Sequence, residues 1–163
     1  FWPLLTPLLR SREYLYTGAR IPAATAVELG LATRVVGVVA DGAPSYALSF
    51  ERREPVSTNR ADTMADGVAC RVPVMEALEM IWKGVDRVVR VTDLEIEAAI
   101  RHLFTDTHNV AEGAGAAPLA AALKEKDGNA GRRVAVILSG GNIDRRVYQD
   151  ILRRGDDSEA RAA

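Results

Sequence analysis

Three short apolar runs, separated by segments of helical periodicity, constrain the fold of this chain more than any other feature. The runs span 34–40, 87–91 and 132–138, and each is rich in β-branched residues. Such runs are typical of strands that are buried on both faces of a parallel sheet. We therefore expect an α/β fold in which a mostly parallel sheet is flanked by helices.

Helical patterns occupy most of the intervals between these runs. Helices are predicted over 23–31, 74–83, 92–104, 110–124 and 144–154. Thr92 and Glu95 match a capping box at the start of the third, and Pro118 should mark a first turn or a kink in the fourth. Residues 45–59 are mixed and polar, so they predict neither a helix nor a strand. The polar tail over 155–163 is expected to fray.

Charge and composition argue against several classes of function. The chain has 21 Lys and Arg against 22 Asp and Glu, a net charge of -1, which gives no general attraction to nucleic acid or to an anionic membrane. The apolar runs are strand-length, well below the roughly 20 residues that cross a bilayer. Cys70 is the only cysteine, which fits a reducing compartment, and we expect a cytoplasmic protein. The first nine residues lack the features of a secretory signal and look like the middle of a longer chain.

A Ser-Gly-Gly turn follows the third run. In an open α/β sheet, ligands bind beyond the carboxyl ends of the strands, where Ser139 is expected to lie. Gly140 and Gly141 would leave the backbone uncovered, so that a flat ligand could approach a hydroxyl able to donate or accept a hydrogen bond. On this pattern alone, an ordinary tight turn is the favoured interpretation.

Several motifs in collinear order resemble the threonine dehydratase and serine racemase family of pyridoxal-phosphate enzymes over 34–154. They include Asp-Thr-Met-Ala-Asp-Gly-Val-Ala at 62–69, Glu-Gly-Ala-Gly-Ala-Ala at 112–117 and Val-Ile-Leu-Ser-Gly-Gly-Asn at 136–142. The resemblance implies part of a large domain like that of the tryptophan synthase β chain, which is fold-type II. It also implies a pyridoxal phosphate cofactor, a small amino-acid substrate, and a homo-oligomer or association with a complementary chain.

The resemblance also assigns residues to the cofactor site. Ser139 would hydrogen-bond the pyridine nitrogen, and a neutral hydroxyl there leaves the ring a weaker electron sink, which favours loss of water from the substrate. Gly140 would provide clearance, and Glu112 and Gly67 would lie beside the cofactor. For Glu112 the alternative is a carboxylate favoured by a helix N-terminus, and for Gly67 it is a turn that needs a positive φ.

Two parts that the family needs for catalysis have no counterpart in this sequence. Lys83, Lys124 and Lys126 lie in helix-end or loop contexts unlike that of a Schiff-base lysine, and residues 15–32 contain no run of glycines to bind a phosphate. No catalytic residue and no metal ligand is therefore assigned. The interpretation is a dehydratase-like ammonia-lyase polypeptide that is incomplete and inactive alone. The alternative is a non-catalytic structural or interaction domain of the same ancestry.

The opening segment resembles a different family, the enoyl-CoA hydratases or crotonases, over 1–36. The matching stretches are Glu-Tyr-Leu-Tyr-Thr-Gly at 13–18 and Ala-Val-Glu-Leu-Gly-Leu at 26–31. The chain is accordingly divided into a helical opening segment over 1–33, a dehydratase-like segment over 34–154 and a polar tail over 155–163. An acyl-CoA-binding function is the lowest-ranked alternative.

Overall fold

The computed structural model describes residues 23–30 and 32–162. Its helices and strands, in chain order, are α1 (Ala23–Glu28), β1 (Val36–Ala40), α2 (Ser45–Arg52), α3 (Met75–Gly84), β2 (Arg87–Val91), α4 (Asp93–Thr107), α5 (Gly113–Lys124) and α6 (Arg145–Ala162). The chain divides into two compact units. Among the described residues, the first comprises 23–30, 32–37, Ser45–Ser57 and Val72–Val89, and the second comprises Val38–Pro44, Thr58–Arg71 and 90–162.

Strands β1 and β2 pair in parallel and confirm two of the three predicted strands. The amide of Asp86 donates to the carbonyl oxygen of Val35 at 2.9 Å, and the amide of Asp41 donates to that of Val91 at 2.8 Å. Residue numbers therefore increase in the same direction along the two strands, as in a parallel ladder. Ala40 and Val91, at the carboxyl ends of the strands, are fully buried.

The third predicted strand, over 132–138, is wrong. Residues 132–144 adopt no helix or strand, and no backbone group of 133–139 is hydrogen-bonded to another residue that the structure describes. Because no neighbouring strand that the structure describes covers this segment, its apolar side chains remain exposed. Val134 is 52% exposed and Ile137 is 77% exposed, although their β-branched side chains favour a buried strand. Among the described residues, the segment pairs with neither β1 nor β2.

In the first unit, α2 occupies residues for which no element was predicted. Ser45, Ala47 and Ser49 are its buried residues, so the helix buries small side chains. The hydroxyl of Ser49 donates to the carbonyl oxygen of Ser45 at 2.7 Å and accepts from the amide of Val56 at 2.9 Å. These hydrogen bonds offset the cost of burying the hydroxyl of Ser49.

In the second unit, helix α4 packs on α5 through a dense apolar contact. Ile96, Ala99, Ile100 and Leu103 of α4 are buried, whereas Phe104 is 41% exposed. The facing surface of α5 is made of buried alanines, and their small side chains allow the two helices to approach closely. Pro118 lies inside α5, where it removes one helical hydrogen-bond donor.

Helix α6 begins near its predicted start and continues beyond the predicted end. The carboxylate of Asp144 accepts a hydrogen bond from the amide of Arg146 at 2.8 Å, as expected of an N-terminal cap. The helix runs to Ala162, so residues of the predicted tail are helical rather than frayed. It is joined to α4 by Arg154, which donates to the mostly buried carboxylate of Glu97 at 2.9 Å.

The predicted capping box at the start of α4 is confirmed. The amide of Glu95 donates to the hydroxyl of Thr92, and the amide of Thr92 donates to the carboxylate of Glu95 at 2.7 Å. Burial raises the pKa of the Glu95 carboxyl. Hydrogen bonds from Thr92 and Lys124 outweigh this effect, so the pKa lies below its ordinary value.

Loss of this cap should weaken the second unit. We expect Thr92→Ala to lower the free energy of unfolding by about 1 kcal/mol, because an N-terminal amide of α4 loses its acceptor. Thr105→Ala is a matched control, since Thr105 is exposed inside the same helix and alanine there should be neutral or slightly stabilising. Urea denaturation of both variants measures the difference, and equal midpoints would contradict the role of the cap.

Candidate functional site

Gly67, Glu112 and Gly140, three of the four residues assigned to the cofactor site, lie together in the second unit. Gly67 belongs to a 3₁₀ turn over Asp66–Val68, and its backbone lies against the first turn of α5. A Cβ atom built on Gly67 would lie 2.9 Å from the Cβ of Ala114 and 4.0 Å from a carboxylate oxygen of Glu112. A side chain at position 67 would be too close to Ala114, so this contact requires a glycine. Its backbone φ is not positive, so the alternative of a turn needing a positive φ is wrong.

Glu112 joins α5 to the Ser-Gly-Gly turn. It holds the N-cap position of α5, but its side chain makes no capping hydrogen bond. Its amide instead donates to the carbonyl oxygen of Gly140 at 3.1 Å. A Cβ atom on Gly140 would overlap a carboxylate oxygen of Glu112 and lie 2.9 Å from its Cδ. The carboxylate is therefore held beside the turn, near the positive end of the helix.

Ser139 precedes this contact and faces solvent. Ser139 is exposed, and its hydroxyl makes no hydrogen bond to another residue that the structure describes. The hydroxyl remains able to donate to or accept from a ligand that lies over Gly140. These features fit the end of a pyridoxal ring that carries the nitrogen: a neutral hydroxyl, a glycine without a side chain and a neighbouring carboxylate.

Close backbone approaches fix the geometry around these residues. A Cβ atom on Gly115 would overlap the carbonyl oxygen of Gly140, and one on Gly113 would lie 2.9 Å from the Cα of Ala65. The sequence did not predict these partners of the two glycines. A third contact that the sequence did not reveal is the hydrogen-bonding of Asp93 to the loop before Gly67.

Two of the three lysines lie in the second unit, in the last turn of α5 and just after it. Lys124 is at the last turn of α5, about 18 Å along the helix axis from Glu112 at a rise of roughly 1.5 Å per residue. Its ammonium group donates to the carbonyl oxygen of Arg90 at 3.0 Å and contacts the carboxylate of Glu95. Lys126 is exposed in the following turn, and Lys83 lies in the last turn of α3.

The histidines occupy structural positions at the end of α4. His102 pairs with Asp106 at 3.1 Å on an exposed face, and His108 ends the helix in a left-handed conformation. Over 23–30 and 32–162, no group of three or more His, Cys, Asp or Glu side chains could hold a metal ion. In the same part of the chain, no helix combines the length and the hydropathy that crossing a bilayer requires.

Comparison with known proteins gives a consistent set of similarities. The model of the family described as pyridoxal-phosphate dependent enzyme matches residues 18–140. The L-threonine ammonia-lyase of Thermotoga maritima is 38% identical over 122 residues, which are 75% of this chain and 30% of that protein. The corresponding enzyme of Geobacter sulfurreducens is 37% identical with the same coverage. This chain therefore spans about a third of the length of these relatives.

Solved structures extend the similarity to the fold. The processed form of threonine deaminase isoform 2 from Solanum lycopersicum superposes with a TM-score of 0.73 at 26% sequence identity, covering 80% of this chain and 39% of that one. The fold class is thus the expected partial fold-type II domain. The family match begins at residue 18, so it includes part of the opening segment that we had assigned to a crotonase-like fragment.

Proposed function

Because the chain belongs to the family of pyridoxal-phosphate dependent enzymes, we propose that it forms the ring-nitrogen side of the cofactor site in a dehydratase acting on L-threonine or L-serine. The observation that carries this proposal is the cluster of Ser139, Gly140 and Glu112, in which an exposed hydroxyl adjoins a glycine held against a carboxylate. When bound, pyridoxal phosphate would supply the electron sink for β-elimination of water from the amino acid, and hydrolysis of the resulting enamine would then release ammonia and leave a 2-oxo acid.

The residues of this chain would orient the cofactor rather than carry out proton transfer. The hydroxyl of Ser139 would hydrogen-bond the ring nitrogen without holding it protonated, because a hydroxyl is not anionic. Gly140 would leave room for the ring, and Glu112 would add a negative charge beside the turn. On this proposal, the lysine for the cofactor aldehyde and the phosphate-binding loop would come from other polypeptide.

The segment over 132–138 supports association with more polypeptide. Val134, Val136, Ile137 and Leu138 are between 36% and 77% exposed, and they form a contiguous apolar run with an unpaired backbone. Exposed runs of this kind are sites for pairing with another strand. The partner proposed is either further polypeptide of the same family fold or a second copy of this chain, in keeping with the fraction of its relatives that the chain spans.

Titration with pyridoxal phosphate tests the cofactor proposal. We expect weak, saturable binding to the chain by absorbance, and we expect borohydride to fix no single lysine in stoichiometric amounts. Ser139→Ala should weaken binding about fivefold to tenfold, as loss of a hydrogen bond worth about 1 kcal/mol predicts. Ser57→Ala, at another exposed serine, should leave it unchanged.

Two outcomes of the titration would count against the proposal. Lack of saturable binding favours a non-catalytic interaction domain, the alternative that the exposed segment 132–138 supports. Stoichiometric labelling of Lys83, Lys124 or Lys126 would contradict the conclusion that no lysine of this chain serves the cofactor. The crotonase-like interpretation of 1–36 stays a prediction, because residues 1–22 and 31 lie outside the described residues. A cytoplasmic location likewise stays a proposal based on composition.

A further inference from the structure

Asp93 is engaged by a loop that lies thirty residues earlier in the chain. One oxygen of its carboxylate accepts from the hydroxyl of Thr63 at 2.5 Å, and the other accepts from the amide of Met64 at 2.9 Å. The hydroxyl of Thr63 in turn accepts from the amide of Ala65 at 3.1 Å. The carboxylate at the start of α4 therefore fixes two consecutive loop residues directly and a third, Ala65, through the hydroxyl of Thr63.

The helix itself does not need Asp93 as a cap. Thr92 and Glu95 already satisfy amides at the N-terminus of α4 through the capping box. Asp93 follows the cap, where the helix dipole stabilises a carboxylate, and both of its oxygens are directed to the loop. Hydrogen bonds to an ionised acceptor are stronger than those between neutral groups, so this contact can define the position of the loop.

The loop that Asp93 holds leads directly into the candidate site. Ala65 is fully buried, and its Cα would lie 2.9 Å from a Cβ atom built on Gly113. The 3₁₀ turn that follows places Gly67 against Ala114 and near the carboxylate of Glu112. The hydrogen bonds of Asp93 are thus linked, through residues 63–67, to the close approach of Gly67 to Glu112.

We propose that Asp93, acting through Thr63, is a positioning residue that sets the distance between Gly67 and Glu112. This inference rests on the proposed function, since Gly67 and Glu112 are two of the residues assigned to the cofactor site. Asp93 does not touch the candidate ligand position. Its effect is transmitted by the backbone of residues 63–67.

Four variants of the 163-residue chain test this role. Thr63→Val removes the hydroxyl while keeping the shape of the side chain, and Thr63→Ser keeps the hydroxyl. Asp93→Asn removes the charge and one acceptor. Asp106→Asn is the control, because Asp106 is an exposed carboxylate on the same helix that pairs only with His102 among the contacts described. Each variant is measured by amide hydrogen exchange over 64–68, by the amide resonances of Gly67, Glu112 and Gly140, and by titration with pyridoxal phosphate.

The expected pattern separates positioning from general stability. Thr63→Val and Asp93→Asn should speed exchange over 64–68 about tenfold or more, shift the three resonances and weaken pyridoxal phosphate binding about tenfold. Thr63→Ser, which keeps the hydroxyl, should leave all three readouts within about twofold of those of the original chain. Asp106→Asn should leave them unchanged.

Failure of this inference can be distinguished from failure of the proposed function. Unchanged exchange and resonances in Thr63→Val would overturn the inference, and so would faster exchange with undiminished cofactor affinity. If the original chain shows no saturable signal with pyridoxal phosphate, the proposed function fails. In that case the resonances of Gly67, Glu112 and Gly140 alone decide whether Asp93 positions them.

Discussion

Gly115→Ala is expected to lower the free energy of unfolding by about 1–3 kcal/mol, although the same change inside most helices raises it. A Cβ atom at position 115 would overlap the carbonyl oxygen of Gly140 and lie 3.2 Å from its amide nitrogen. These are backbone atoms, so no side chain can rotate away to relieve the overlap. The helix or the turn must shift, and this costs more than the gain in helix propensity.

Gly128→Ala provides the comparison for this substitution. A Cβ atom on Gly128 would lie 3.5 Å from the carbonyl oxygen of Glu125, an ordinary contact, and its φ is not positive. We therefore expect that variant to be neutral or slightly more stable. Urea denaturation followed by circular dichroism measures both. An increase in stability of Gly115→Ala similar to that of Gly128→Ala would contradict the tight contact between α5 and the Ser-Gly-Gly turn.

The exposed run over 132–138 is expected to make the chain self-associate. Sedimentation velocity at tens of micromolar should show oligomers or aggregates, because five consecutive apolar residues, 134–138, and their unpaired backbone remain in water. Ile137→Lys should weaken this association at least about tenfold, since a cation on the pairing surface must be desolvated when another strand docks.

Leu94→Lys is the control for this surface. Leu94 is 74% exposed, close to the 77% of Ile137, but it lies in the first turn of α4 rather than in an unpaired segment. Its replacement should leave the sedimentation profile unchanged. A compact monomer of the original chain over the whole concentration range would contradict the expected association, as would equal effects of the two lysine substitutions.

The elements that sequence analysis predicted well are those specified by neighbouring residues. The capping box depends on Thr92 and Glu95, and the strands β1 and β2 are marked by their own β-branched runs. Helix α2 was missed because its buried residues are small and include two serines, Ser45 and Ser49. The hydroxyl of Ser49 is satisfied by local hydrogen bonds to Ser45 and Val56.

The strand predicted over 132–138 failed for the opposite reason. Its residues favour a strand, but strand formation needs a hydrogen-bonded partner, and in the described residues the segment pairs with neither β1 nor β2. Local β-propensity therefore predicted the conformation that segment 132–138 would adopt beside a neighbouring strand.

The candidate site was recovered in part. The resemblance brought Gly67, Glu112 and Gly140 into consideration, and the structure places them together, whereas the cofactor role of Ser139 stays a proposal. Ala65 and Asp93 were missed, because their importance comes from contacts with residues far away in the chain. A short carboxylate after a capping threonine gives no local indication that it serves a loop thirty residues earlier.

The direct approach of α5 to the Ser-Gly-Gly turn has a mechanical consequence. Between Gly115 and Gly140 the main chains touch with no side chain intervening. Side chains can accommodate small displacements by changing rotamer, but a contact between backbone atoms has no such freedom. A molecule that pushes on the turn would therefore move the first turns of the helix as well, so the two segments should respond to occupancy as a single stiff body.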